Sequence, residues 1–557
     1  MLIAVDPGAG GAPRLRALDD DGRPTGPAEP VDDLAAAVGA RERHDRPRWL
    51  WPATAAVYPA LLRAGVRVER CHDVELTEAL LLGYAGRWGE PRSLAAAHAR
   101  LSGAPVPPDP PPRPVARPGD GQGVLFEAAP PPPAGSGADS LDVLPRAYAD
   151  QRARIEATEH PGRFKLLVAA ESAGALVAAE MGYDGLPWRA DVHDALLVEL
   201  LGEPSPVGGP PRRLAELADR IAASFGVRGL HPESPGEVLR AFARAGVHLP
   251  NTRAWVLRGV DHPAVPLLLE FKELHRIWTA HGWGWRDAWV HDGRFRPEYV
   301  PGGVVSGRWA TRGGGALQIP KVVRRAVVAD PGWRFVVADA GQLEPRVLAA
   351  FSGDAGLVAA AGAGDLYAAL AADAFGGDRA KAKLALLGAM YGQTGGAAIP
   401  ALAALRRRYP TAWEFVESAA RTGEGGGLVR SWLGRTCPPA GRIPDDTEAD
   451  GAGTGGDVRS AARARGRFTR NFVIQATAAE WALTLLGALR GSLAVSRGQL
   501  VFFQHDEVVV HCPADDADEV AAQVRAAGDR ARRLLFGDTE VRFPLDVSIV
   551  RCYADAE

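Results

Sequence analysis

Two short stretches place carboxylates where apolar runs end. In Val336-Val337-Ala338-Asp339-Ala340-Gly341-Gln342-Leu343-Glu344-Pro345-Arg346, the apolar run from Trp333 predicts a strand that delivers Asp339 to its C-terminal end, with a helix following. Pro345 fits that helix only in its first turn. A strand end can present a metal-binding carboxylate to a cleft; the plain alternative is an acid capping a helix N-terminus. In Phe502-Phe503-Gln504-His505-Asp506-Glu507-Val508-Val509-Val510, two acids interrupt a strongly apolar segment. Two strands joined by a polar turn explain the pattern, and Asp is an ordinary turn residue. The flanking Gln504 and His505 favour a site over a bare turn.

Two further stretches repeat every four residues. Arg379, Lys383, Leu387 and Tyr391 form one slowly drifting helical stripe. A cationic stripe running into an aromatic suits a triphosphate at one end and a base at the other; a solvated charged face is the alternative. Lysine occurs only at Lys165, Lys272, Lys321, Lys381 and Lys383, so two of five sit in this one turn. Arg467, Asn471 and Gln475 share the same spacing on an otherwise apolar helix. Donors so arranged can reach the minor groove of a duplex. Every base pair shows acceptors there, so such contacts test pair geometry without reading sequence. Amides satisfied against a loop are the alternative.

The elements that must hold these residues belong to a chain of 557 residues, 46% hydrophobic and 24% charged. That composition excludes wholesale disorder and predicts roughly two to four domains. With 67 acidic and 64 basic residues, a net charge of −3 does not advertise a nucleic-acid binder, although a cleft can be basic when the whole is not. The arginine excess reads as coding bias. Cys71, Cys437, Cys512 and Cys552 have neither CxxC nor zinc-ligand spacing, which fits a reducing cytoplasm. No signal peptide is expected, and no apolar run reads as long enough to span a membrane.

Gly103 to about Ser140 is proline-rich and reads as a spacer. Before it, strands at Leu2–Val5 and Trp49–Trp51 and helices at Thr54–Ala64 and Leu76–Gly83 predict a small α/β unit. After it, helical periodicity covers Gly174–Met181, Arg213–Phe225, Pro235–Ala245 and Leu267–Trp278, with Ser234 as an N-cap before Pro235. Asp445–Gly456, acidic and then glycine-rich, reads as disordered.

Together the four stretches resemble, in order, the motifs of family A DNA polymerases, of the bifunctional 3′–5′ exonuclease/DNA polymerase kind found in actinobacteria. Ser306-Gly307-Arg308 is similar to the family's TGR, and Leu317-Gln318-Ile319-Pro320 to LQNIP with one residue missing. Asp339 to Arg346 resembles DYSQIELR, Asp365-Leu366-Tyr367 resembles DLH, and Arg379 to Gly392 the RxxxKxxxFxxxYG helix. Gly427 to Arg435 resembles GYVxTxxGR, Asn471 to Glu480 NxxxQGTAAD, and His505-Asp506-Glu507 HDE. The likeness covers roughly the last four hundred residues.

This resemblance implies an α+β multidomain chain with a right-hand polymerase fold behind a small α/β ribonuclease H-like unit of the exonuclease type. The implied division is 1–102 for that unit, 103–140 for the linker and 141–557 for the polymerase. Within the polymerase the thumb would span about 165–300, the palm about 301–350 and 457–557, and the fingers about 351–456. The implied activity is template-directed addition of deoxynucleotides to a primer 3′-hydroxyl by two-metal phosphoryl transfer. Asp339 and Asp506 would hold two Mg²⁺ ions, with Mn²⁺ as a substitute, supported by Glu507. Arg379 and Lys383 would hold the triphosphate, Lys383 being a candidate proton donor to pyrophosphate. Tyr391 would close against the templating position, and Glu344 would block a ribose 2′-hydroxyl. Leu387, Gln342 and His505 would also line the nucleotide site. Arg308, Gln318, Arg346, Arg467, Asn471 and Gln475 would contact DNA. Primer-template DNA and deoxynucleoside triphosphates are the implied partners of a cytoplasmic, nucleoid-associated monomer that needs no membrane, acting in repair or gap filling.

Departures bear on speed, sugar discrimination and fidelity more than on the reaction. Ala340 and Gly341 replace Tyr-Ser, Pro345 a leucine, Leu387 an aromatic and Ala476 a glycine. The N-terminal unit departs further. His72 to Leu81 resembles a segment of the proofreading fold, but the first strand carries Asp6 without a second acid. Pro52 to Tyr58 lacks an expected aspartate, and Tyr148-Ala149-Asp150 is a poor remnant of the last motif. A degenerate, inactive exonuclease is expected, with no 5′-nuclease unit ahead of it. Two other functions compete: a non-catalytic DNA-binding protein that keeps the fold, motivated by the altered pocket, and an active exonuclease-polymerase.

Overall fold

The computed structural model describes residues 1–8, 11–111, 139–206, 208–392, 398–439 and 458–556. Most of the proline-rich segment and all of Asp445–Gly456 lie outside the described residues. The N-terminal unit is a sheet of β1 (Leu2–Asp6), β2 (Arg14–Leu18), β3 (Glu29–Pro30), β4 (Arg48–Trp51) and β5 (Arg70–Asp73), in the order β3-β2-β1-β4-β5. β2 runs antiparallel to β1, β4 is parallel to β1, and β5 is parallel to β4. That is the arrangement expected of a ribonuclease H-like unit.

Strand alternation sorts the side chains between two faces. Ile3, Val5, Trp49, Trp51 and Cys71 pack with Val57, Tyr58, Leu61 and Leu62 of helix α1 (Thr54–Arg63). Leu2, Ala4 and Leu50 pack on the other face. The helix after β5 is α2 (Val74–Tyr84). Leu141, Leu144 and Ala147 of α3 (Ser140–Glu156) close the second face. By packing, this helix goes with the N-terminal sheet, although it follows the proline-rich segment. Polymerase-side packing begins with α4 (Pro161–Asp184), whose Leu176 already touches the sheet unit.

The expected helices form, most within a few residues of their predicted bounds, while Gly174–Met181 is the end of the longer α4. Arg212–Ser224, Pro235–Arg244 and Ala264–His281 are helical, and the Ser234 side chain caps its helix by accepting from Glu237 N. A second sheet combines β6 (Trp333–Ala340), β7 (Gln499–Gln504), β8 (Glu507–Pro513) and β9 (Leu545–Val550) in the order β7-β8-β6-β9, antiparallel throughout. Helix α5 (Leu343–Ser352) follows β6, and Pro345 falls in its first turn as required. Helices α6 (Arg379–Tyr391), α7 (Val458–Leu493) and α8 (Ala517–Phe536) complete the frame.

Helix α7 corrects one expectation, because it is long and apolar enough to cross a membrane. Its apolar window is 83% buried, so the apolarity is that of a core helix. It packs on α4, on α8 and on the helix Pro410–Glu424. All four cysteines are free.

Candidate active site

The register of the second sheet brings the acids together. Asp339 on β6 lies opposite Glu507 on β8 and opposite Asp546 on β9. Asp506 sits in the two-residue turn between β7 and β8, and Ala340 N donates to Asp506 O at 3.0 Å. The two predicted metal-binding acids therefore leave adjacent backbone positions. Backbone strain gathers here. Among the described residues only four non-glycines have positive φ, and two flank these acids: His505 at 60° and Gln342 at 59°. Such conformations cost on the order of 1 kcal/mol or more and persist where surrounding structure over-determines them.

Electrostatics make the pair hungry for a cation. Burial, and then the charge of Asp339, push Asp506 up to about 6. Asp339 is raised by burial and then by Asp546, with Arg324 acting against both. Two partly buried carboxylates repelling each other are what a divalent cation would relieve. Among the described residues no group of three or more His, Cys, Asp or Glu could hold a metal. Two carboxylates still fit Mg²⁺, which commonly takes one or two protein carboxylates plus water and substrate phosphate oxygens. Glu507 stands beside them, 3.6 Å from Arg324.

The α6 stripe is tied at one end to the segment after Asp339 and at the other to Asp365. Tyr391 Oη donates to Glu344 Oε2 at 2.7 Å, and Arg308 donates to Glu344 Oε1 at 2.6 Å. Glu344 is thus held between two donors. Its charge, after burial, raises the Tyr391 hydroxyl above its ordinary range. At the other end Arg379 Nε donates to Asp365 Oδ2 at 2.8 Å. Burial works to raise Asp365, but bonds from Arg379 and Gln342 outweigh it and hold the carboxyl down to about 2. Arg379 and Lys383 both lie over the Tyr367 ring, at 5.6 and 5.9 Å from its centroid. Leu387 is half-buried between these ends.

The α7 stripe opens where the sequence places it. Arg467 is exposed and Asn471 and Gln475 are half-buried, while Phe472, Val473, Ile474 and Ala476 are buried. The Asn471 Oδ1 atom has no hydrogen-bond partner among the described residues. Gln318 is exposed, and Gln504 Nε2 donates to Leu317 O at 2.9 Å, which ties its loop to β7. Burial, then the Arg308 charge, push His505 down to about 4, so the ring is neutral at physiological pH.

Two residues of the motif reading are engaged by internal partners. Arg346 is fully buried, and its guanidinium donates to the carbonyls of Gly341, Ala361, Ala363, Gly364 and Arg542. Its donors are taken by loop carbonyls; a buried guanidinium persists only with such a complete acceptor set. Gln342 was expected at the nucleotide, but its amide donates to Asp365 and accepts from Leu366 N. Its work is internal, joining α5 to the helix that Asp365 caps.

Three contributors were given no role by the sequence reading. Asp365 holds Arg379, and its signal was its N-cap position. Asp546 faces Asp339 only through sheet register. Arg435 donates to Glu171 at 2.7 Å, both buried, and supports the Ser306-Gly307-Arg308 turn. At Gly307 φ is +84°, and a Cβ would overlap the Arg435 guanidinium.

The carboxyl edge of the N-terminal sheet is closed by its own partners. Asp6 accepts from Arg14 at 2.5 Å, and Arg14 also grips Asp139 at 2.6 Å. Asp73 accepts from Thr54 N and Leu76 N.

The profile of DNA polymerase family A matches residues 237–554. A DNA polymerase I from Chloroflexus aurantiacus is 30% identical over 261 residues, covering 42% of this chain and 26% of that relative. The thermostable DNA polymerase I of Thermus thermophilus is 28% identical over 329 residues, covering 54% of this chain and 37% of that relative. The chain thus matches well under half the length of these curated relatives. Among solved structures, the POL domain of Pol1 from M. smegmatis, in complex with DNA primer-template and dNTP, aligns with a TM-score of 0.70 at 19% identity. That alignment covers 100% of this chain and 95% of the other, and it gives the chain its polymerase fold.

Proposed function

The chain belongs to DNA polymerase family A, and from that premise we propose that it is a template-directed DNA polymerase extending primer 3′-hydroxyls. One observation carries the reading: Asp339 and Asp506 stand together, and the cationic α6 is anchored at one end to Glu344 and at the other to Asp365, which Gln342 holds.

Asp339 and Asp506 would hold two Mg²⁺ ions, with Glu507 in support. Bound there, the metal would supply charge neutralisation and lower the pKa of the attacking hydroxyl. The chain's own residues do the rest. Arg379 and Lys383 take the triphosphate, for which Arg379 must exchange Asp365 for phosphate oxygens. Lys383 is placed to protonate the leaving pyrophosphate. Glu344, fixed by Arg308 and Tyr391, stands against a 2′-hydroxyl. Arg467, Asn471 and Gln475 lie along the minor groove of the primer-template, with Gln318 and His505 beside the terminus. Catalysis is then mainly positioning and preorganised charge.

The domain reading is a sheet unit from 1–102 completed by Ser140–Glu156, a linker, and a polymerase from about 160 onward. The sheet unit serves as an inactive proofreading remnant, because Arg14 and backbone amides already satisfy its edge carboxylates. The setting is cytoplasmic repair or gap filling by a monomer.

Primer extension tests this. Wild type should incorporate deoxynucleotides with Mg²⁺ or Mn²⁺, and Asp506→Ala should lose at least about a thousandfold. Equal failure of both, with primer-template still bound, would leave a DNA-binding protein that keeps the fold. Degradation of single strands surviving Asp339→Ala and Asp506→Ala would revive the exonuclease.

A further inference from the structure

A second chemically furnished cavity lies far from these acids. It has a volume of about 580 Å³ and opens where the N-terminal sheet meets α3 and α4. The strand register locates it. Leu2 pairs with Arg48, and Arg48 pairs with Arg70, so all three lie at the N-terminal edge of the parallel strands. The Asp6 and Asp73 carboxylates mark the opposite, carboxyl edge, about 13 Å away along four residues of strand. The cavity is therefore not the remnant catalytic edge.

Cross-strand partners project to one face, and so do residues two apart on a strand. Arg48, Arg70 and His72 consequently share the face that α3 covers. Tyr148 and Arg152 on α3 and Lys165 on α4 complete the polar lining. Four cationic side chains thus meet two lining carboxylates, Asp20 and Glu156, but Arg152 is already paired with Asp21 at 3.1 Å and lies 5.8 Å over the Tyr148 ring, which leaves Arg48 and Arg70. Glu156 is already taken by Lys165 at 2.5 Å. Asp20 is almost fully exposed. Arg48 is less exposed and makes no hydrogen bond or ion pair with its side chain among the described residues. Arg70 reaches only the Arg46 carbonyl, at 3.4 Å. Two neighbouring guanidinium groups without a carboxylate form an anion site, and their planar forks suit phosphate oxygens.

The rest of the lining has another character. The Tyr148 ring meets His72 edge-on at 4.9 Å, and His72 is buried and held by Gln151 at 2.9 Å. Ile155, Leu166 and Val168 add apolar surface. A cationic end beside a fixed aromatic and an apolar wall, in a cavity of this size, matches phosphate joined to a planar base. We propose that this cavity binds a nucleotide phosphate, with the phosphate on Arg48 and Arg70 and the base against Tyr148. The ligand is either a free mononucleotide or the 5′-phosphorylated end of a DNA strand. Either would dock at the seam joining the sheet unit to the first long helix of the polymerase.

Photocrosslinking of the full chain with 8-azido-dAMP, its polymerase cleft filled with primer-template, tests this. We expect an adduct in the peptide carrying Tyr148, reduced about tenfold by Arg48→Ala plus Arg70→Ala. Arg70→Glu should do the same, and Arg70 is exposed, so that variant keeps its fold. Primer extension by both variants should match wild type. Protection by dAMP but not by 5′-phosphorylated dT12 assigns a free nucleotide, and the reverse assigns a strand end. Absence of the adduct, an adduct indifferent to both variants, or equal protection by deoxyadenosine overturns the proposal.

Discussion

Glu480 stands at a position the family motif reserves for an acid, and its surroundings turn that acid into a pH-sensitive strut. It is fully buried in α7, accepts from Ser431 and from Leu433 N, and is pushed up to about 7 by burial. A carboxyl raised in the folded state keeps its proton while its unfolded counterpart, near 4.3, has lost it. Stability is therefore greatest below the unfolded value and falls as pH rises through about 7. The loss is on the order of 3 kcal/mol. Urea denaturation between pH 5 and 8 should show this fall, and Glu480→Gln should flatten it. A slope unchanged in Glu480→Gln would assign the dependence elsewhere. Arg346 carries the complementary lesson. A motif arginine was expected at DNA, yet five carbonyl acceptors make it a core residue.

At the scale of elements, the Ser306-Gly307-Arg308 turn shows how a distant ion pair sets a contact. Arg435 and Glu171 come from different parts of the chain, and the turn folds over their bond. Glycine is required at 307 both by φ of +84° and by the guanidinium lying against it. Gly307→Ala should cost roughly 1–2 kcal/mol of backbone strain and displace Arg308. Steady-state extension should then show KM for primer-template raised about tenfold with kcat largely kept, the mark of lost uniform binding. A fall in kcat alone would place Arg308 in the chemical step instead. The β7–β8 turn belongs to the same scale. Its strained His505 is held because β7 and β8 pair on either side and Ala340 N anchors Asp506.

At the scale of the whole molecule, the sheet unit is bolted to the polymerase through buried charge. Tyr58 donates to Glu180 at 2.5 Å, and Arg490 donates to the same carboxylate at 2.7 Å and to the Val68 and Glu69 carbonyls. Helices α1, α4 and α7 meet there. Arg490→Ala would leave the buried Glu180 with only the more distant Arg67, at 3.8 Å, at a cost of up to about 3–5 kcal/mol. Calorimetry should then split one unfolding transition into two, the earlier being that of the N-terminal unit. A single transition shifted as a whole would mean that the two parts unfold as one.

Local pattern alone carried much of this protein. The apolar run Trp333–Asp339, the polar break in Phe502–Val510 and the four-residue spacing of two helices each survive as elements. Periodicity and turn chemistry are properties of neighbouring residues, so they are legible in one dimension. The tertiary structure decided what depends on register and on contacts between distant segments. It set Asp546 opposite Asp339, gave Arg379 to Asp365, and buried Arg346 among carbonyls. It attached Ser140–Glu156 to a sheet on the far side of a proline-rich segment. It also turned an apolar helix of membrane-spanning length into the core. Each of these depends on which surfaces face each other when apolar area is removed from water, and composition and spacing do not encode that directly.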